Sequence, residues 1–130
     1  MDNPNRASGN FEVKLTPAGG PEEPVGRLTI AKTFHGDLEA TSAGEMLAFG
    51  TSVEGSAGYV AMEKVTGKLG AKSGSFALQH TGTMNRGAPS LTVTVVPDSG
   101  TEELAGLTGQ MTIDIVEGQH LYGFNYSLPD

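Results

Sequence analysis

From Gly55 to Gly87 the chain reads GSAGYVAMEKVTGKLGAKSGSFALQHTGTMNRG, two alternating stretches joined by a glycine-rich turn. Side chains along a strand repeat with period two, so each stretch presents one row to each face. In the first, Tyr59, Ala61, Glu63 and Val65 share a face. In the second, Phe76, Leu78, His80 and Met84 do. A Glu and a His on core-facing rows predict a polar site inside a β-structure. The assignment is least secure in the first stretch, where Val60 and Met62 compete for the interior; Lys64 favours their row as the outward one.

The same alternation runs through most of the chain. Asn10 to Thr16 places Phe11, Val13 and Leu15 together, and Val25 to Phe34 places Leu28, Ile30, Lys32 and Phe34 together. His35-Gly36-Asp37 has the composition of a tight turn. Leu38 to Phe49 contains Ser42-x-x-Glu45, which fits a helix capping box. Gly44 interrupts it and strands flank it, so it is read as a bulged third strand. Tyr59 to Val65 and Gly74 to Met84 are the fourth and fifth strands, and Leu91 to Val96 the sixth. A loop with one helical turn at Thr101 to Leu104 leads to Gln110 to Val116 and then Gln119 to Leu128. The last strand sets His120, Tyr122, Phe124 and Tyr126 on one face.

About eight strands with short connections and no long helix predict an all-β fold, an up-and-down barrel or a sandwich. A barrel removes the edges that a run of adjacent strands would expose. With 130 residues and no linker, one domain spanning 1–130 is expected, with 1–9 as a flexible N-terminus. The 19 glycines point to turns and bulges.

Charge and composition exclude several classes. A net charge of −7, with eight scattered basic residues, argues against nucleic acid or an anionic membrane as partner. There is no Cys, hence no disulfide, thiolate metal site or Cys nucleophile. No signal peptide or apolar span is visible, so a soluble, cytoplasmic protein is expected. No G-x-S-x-G, H-E-x-x-H or dinucleotide fingerprint occurs. GKLGAKSG at Gly67 to Gly74 reads as a hairpin turn, not a phosphate loop, because no helix pattern follows. Asn125-Tyr126-Ser127 matches the glycosylation pattern but lies inside a strand. Asp37, Glu39, Asp98, Glu102 and Glu103 read as a solvated face.

Several runs carry a resemblance: KTFHGDLEATSAGEML, GSAGYVAMEKVTGKL, GSFALQHTGTM, VVPDSGTEELAGLTG and the closing HLYGFNYSLP. Together, in this order, they resemble a bacterial family of small β-barrel proteins known as a domain of unknown function. That resemblance implies a closed antiparallel barrel similar to allene oxide cyclase, and it brings no activity with it. SGTEELAGLTG also resembles the Gly-Thr-Gly turn before a late strand of allene oxide cyclases and dirigent proteins, with Glu102 in place of a Gly.

Turning each apolar row inward brings in Lys32, Glu63, His80 and His120. Lys and Glu are almost never buried unpaired, because an isolated charge is costly in an apolar interior. Either these residues meet one another or they line a wet cavity. A structural reading pairs Lys32 with Glu63 and bonds each His to backbone or a Tyr hydroxyl. A functional reading makes Lys32, Tyr59, Glu63, His80, His120 and Tyr122 the lining of a ligand site, with Glu63 and His80 as candidate acid/base groups. His80, His120 and Glu63 could meet as a facial metal triad, but three His without H-x-H or H-x-x-x-H spacing give little support for a metal, and no cofactor is implied.

Three functions stay open: a barrel binding a small, largely apolar molecule, an isomerase or cyclase acting on an oxygenated lipid-like substrate, and a filled barrel with no interior ligand. Val60, Met62, Val96, Val116 and Leu121 fall on outward rows. Contiguous outward apolar residues predict a homo-oligomer, most simply a two-fold dimer.

Overall fold

The computed structural model describes residues 3–129. Eight strands follow one another: β1 (Asn3–Ala18), β2 (Gly26–Gly36), β3 (Leu38–Gly50), β4 (Ala57–Leu69), β5 (Lys72–Asn85), β6 (Ala88–Val95), β7 (Thr108–Val116) and β8 (Gln119–Leu128). Each pairs antiparallel with its predecessor, and β8 returns to β1. The all-β fold is therefore a closed up-and-down barrel, and the one helical element among the described residues is a 3₁₀ turn at Glu102–Leu104.

Closure depends on the length of β1. Its first half, Asn3 to Phe11, pairs with β8, and Gly9 to Ala18 pairs with β2. Residues 3–9, expected as part of a flexible N-terminus, carry the strand that seals the barrel, and Met1 and Asp2 lie outside the described residues. The expected bulge in β3 is corrected. Leu38 to Gly50 pairs with Leu69 to Ala57 without a break, so Gly44 lies in regular register. Its role is close approach. A Cβ there would lie 2.0 Å from the Met62 carbonyl oxygen and 2.6 Å from the Glu63 Cα, so only glycine lets β3 coil against β4 at that point.

The two ends of the barrel differ. At one end Phe34, Leu38, Leu69, Phe76, Tyr122 and Phe124 fill the interior. The β6–β7 connection folds beneath them and inserts Leu104 and Leu107, both fully buried. That connection clings to the lower half of β5: Val96 donates to Ala77, Ser99 Oγ accepts from the Ala77 amide, and Thr101 exchanges bonds with Ser75. Glu102 takes φ 54, the left-handed conformation that a glycine adopts without strain. At the other end the barrel opens between the β1–β2, β3–β4, β5–β6 and β7–β8 turns. The last two are two-residue turns, Arg86-Gly87 and Glu117-Gly118, with every φ positive as a hairpin of this hand requires.

One seam is short. β6 and β7 pair only through Val93–Met111 and Thr94–Gln110, whereas the other neighbours pair over eight or more residues. The outer wall is not uniformly polar: Val60 and Met62 are 50% and 49% exposed, beside exposed Leu47 and Phe49. Val116 is also exposed, and Val96 and Leu121 are half-buried. The expected solvated acidic face has more to do than meet water: Asp37 accepts from the Ser8 amide, Glu39 from Gly36 and Glu103 from Ser73.

Candidate functional site

Lys32 on β2, Ser42 on β3, Glu63 on β4 and His80 on β5 all point inward, at the level where the apolar plug ends. Period-two alternation accounts for this, since each shares its row with buried apolar neighbours: Ile30 and Phe34, Leu38 and Ala40, Ala61 and Val65, Phe76 and Leu78. Glu63 is the centre. Its Oε2 accepts from Lys32 Nζ at 2.8 Å and from His80 Nε2 at 2.5 Å, and its Oε1 accepts from Ser42 Oγ at 2.7 Å.

Burial is the largest single influence on the Glu63 carboxyl, and alone it would raise the pKa. The His80 hydrogen bond, the Lys32 charge and hydrogen bond, and the Ser42 hydrogen bond outweigh it and bring the pKa down to about 2. Glu63 is thus a carboxylate near neutral pH and can only accept. Nε2 of His80 therefore donates to it, which leaves Nδ1 as the other ring nitrogen. Lys32 is held further by two aromatic rings, its Nζ lying 4.9 Å from the Phe11 centroid and 5.8 Å from that of Phe34. No buried side-chain nitrogen or oxygen among the described residues lacks a partner.

Above this cluster the barrel opens into a cup of about 270 Å³. Lys32 and His80 line its floor, while Glu63 and Ser42 lie beneath them and do not line it. The walls are mainly apolar, with Ile30, Met46, Leu91 and Ile113 below and Leu15 and Ile115 at the rim. Ile115 is 66% exposed although its row faces inward, because it stands at the open mouth. Tyr59 and His120 add polar groups to the wall. Burial and then the Glu63 charge raise the Tyr59 pKa, so its phenol stays protonated. The Tyr59 ring lies over Gly82, where a Cβ would come within 2.3 Å of the ring.

Five of the six expected lining residues gather here: Lys32, Glu63 and His80 in contact, Tyr59 and His120 on the wall. Tyr122 is separate. Its hydroxyl accepts from the Leu38 amide at 2.9 Å and donates to the His35 carbonyl at 2.9 Å, which ties down the β2–β3 turn at the closed end. His120 packs against Phe11 at 5.1 Å between ring centroids. Among the described residues no group of three or more His, Cys, Asp or Glu could hold a metal ion, so His80, His120 and Glu63 do not assemble as a triad. Sequence reasoning placed Ser42 in the third strand but did not assign it to the site. Its signal was the row Leu38, Ala40, Ser42, small and apolar on one side of a strand.

A closed eight-stranded antiparallel barrel, plugged at one end and holding a lysine–glutamate–histidine cluster under an apolar cup, defines the class of protein. The chain belongs to the family described as "Protein of unknown function (DUF3224)", whose model matches residues 7–126. It is similar to a protein of unknown function of that family from Shewanella oneidensis MR-1, known from a crystal structure. The two are 47% identical, the match covers 98% of this chain and 99% of that one, and the TM-score is 0.93. No curated protein matches the chain. No helix among the described residues is long and apolar enough to cross a membrane.

Proposed function

We propose that this barrel binds a small, largely apolar molecule in its open cup, with the polar end of that molecule seated on Lys32 beside His80. One observation carries the reading. Two side chains with hydrogen-bonding capacity, only 8% and 4% exposed, form the floor of an otherwise apolar cup. A purely structural ion pair needs no such opening above it. The volume lies just below the usual range for ligand sites, roughly 300–1,000 Å³, so the ligand is small. Glu63 orients the other two from below. The test is mass spectrometry of native protein, followed by identification of what denaturation releases. Recovery of one small apolar species in stoichiometric amount supports the reading. If the protein emerges empty and none of a panel of small apolar compounds shifts the resonances of cup residues, the reading fails.

The Glu63–His80 pair favours a second reading, an isomerase acting by proton transfer. With Nε2 bonded to Glu63, Nδ1 is the ring nitrogen left to exchange a proton with a bound molecule. In that reading His80 moves the proton and Glu63 is a positioning residue, since its oxygens are already bonded to three donors. Exchange of α-protons of a bound ketone into D₂O, lost in His80→Gln, would support it; exchange no faster than in free solution would exclude it.

A further inference from the structure

We infer that the cup selects an uncharged molecule with a hydrogen-bond acceptor at its end, of the ketone, aldehyde or ester type, and discriminates against the corresponding carboxylate. This rests on the cup being a ligand site and names the chemical class that it takes.

The first argument is the charge already present on the floor. Lys32 and Glu63 are in contact at 2.8 Å, and their opposite charges cancel. A carboxylate entering this desolvated place finds its cation already neutralised, so it loses hydration without a free counter-charge. A carbonyl oxygen faces no such difficulty. An ammonium carries three N–H donors. Lys32 uses one on Glu63 Oε2, and the ring faces of Phe11 and Phe34 lie beside its Nζ. A neutral acceptor therefore gains a charge-assisted bond and leaves the Lys32–Glu63 pair intact.

The second argument comes from the mouth. The four turns that surround it carry Glu22, Glu23, Glu54 and Glu117 against one basic residue, Arg86. Arg27, at the foot of the first turn, is already shared between Glu23 at 3.9 Å and Glu45 at 3.3 Å. An anion must pass this acidic rim, and a neutral molecule does not feel it.

The experiment titrates the whole protein with 2-octanone and, separately, with octanoate at pH 7.5, following amide and methyl resonances of the cup. The expected result is at least tenfold tighter binding of 2-octanone at low salt, with the gap narrowing at high salt as the rim is screened. Octanoate binding as tightly as the ketone, or more tightly, overturns the inference and leaves the ligand site standing. If neither compound binds, the site itself falls, and the inference with it.

Apolar character alone also favours a ketone over a carboxylate, so a second measurement reads the contact directly. 2-Octanone labelled with ¹³C at the carbonyl should move downfield on binding, relative to its value in water, because it accepts from an ammonium. An upfield shift, toward the value in hydrocarbon, overturns the inference. The double variant Lys32→Met with Glu63→Met removes the pair without stranding either charge, and it should weaken 2-octanone at least fivefold and abolish the downfield shift. If that variant does not fold, the carbonyl shift in the unaltered protein still decides.

Discussion

Glu63 and His80 are diagonal neighbours across the β4–β5 pair: Glu63 faces Leu78, Ala61 faces His80, and the carboxylate meets the imidazole at 2.5 Å. Diagonal positions on one face are about 7–8 Å apart, within reach of long side chains only. Lys32 comes from further away. It sits on β2, two interstrand spacings or roughly 9.5 Å from β4, and crosses β3 to reach the same oxygen. Ser42 and Gly44, the inward residues of β3 at that level, are small enough to let it pass.

Glu63 holds the cluster together, so removing its charge strands a buried cation. Glu63→Gln is expected to cost about 3 kcal/mol or more in urea unfolding, the usual penalty for breaking a buried pair. Lys32→Met combined with Glu63→Gln should cost clearly less than the sum of the two single changes. Strict additivity would mean that the 2.8 Å contact contributes no coupling.

The low pKa of Glu63 predicts an acid-sensitive component of stability. Its folded-state value of about 2 lies below the ordinary 4.5, so this contribution is complete above the ordinary value and is lost as pH falls from about 4.5 through about 2. The loss is about 3 kcal/mol. Relative to Glu63→Gln, whose amide does not titrate, the natural chain should lose its advantage across that window. Denaturant titrations at several pH values check this, and a gap that stays constant down to the acid limit would contradict it.

The short β6–β7 seam should be the weak point of the barrel. Above Val93 and Met111 the two strands are not paired with each other, although Leu91 and Ile113 line the cup there. Those amides of residues 90–92 and 112–116 that point toward the seam should exchange with solvent roughly tenfold faster, or more, than those of residues 59–61 at the same level of β4. Equal protection would show that the seam is as firm as the rest of the wall. A small apolar ligand bound in the cup should slow exchange at the seam.

Leu47 and Val60 face each other across β3 and β4 on the outer wall, with Phe49 and Met62 beside them. A contiguous apolar patch of this kind is expected to join two copies of the chain. Light scattering at micromolar concentration should give about twice 13.4 kDa, and Val60→Lys should return the mass to that of one chain. A 13.4 kDa species from the unaltered protein would overturn the expectation.

The sequence by itself determined the strands and the direction in which most side chains face. Alternation is local and has period two, so Lys32 and His80 could be placed inward from their own neighbours, whereas the row of Glu63 competed with that of Val60 and Met62. It also marked a hairpin turn within Gly67 to Gly74 and the helical turn at Thr101 to Leu104. Only the tertiary structure decided which inward residues meet. Contact depends on which strands are neighbours and in what register, and those are long-range facts of closure. They join Lys32 to Glu63 across an intervening strand and recruit Ser42 from that strand. They send Tyr122 to the closed end, although it shares a row with His120. Even the open cup is a product of closure. The Leu104–Leu107 plug fills one end, the uneven lengths of the strands leave the other unfilled, and no window of the sequence contains both ends.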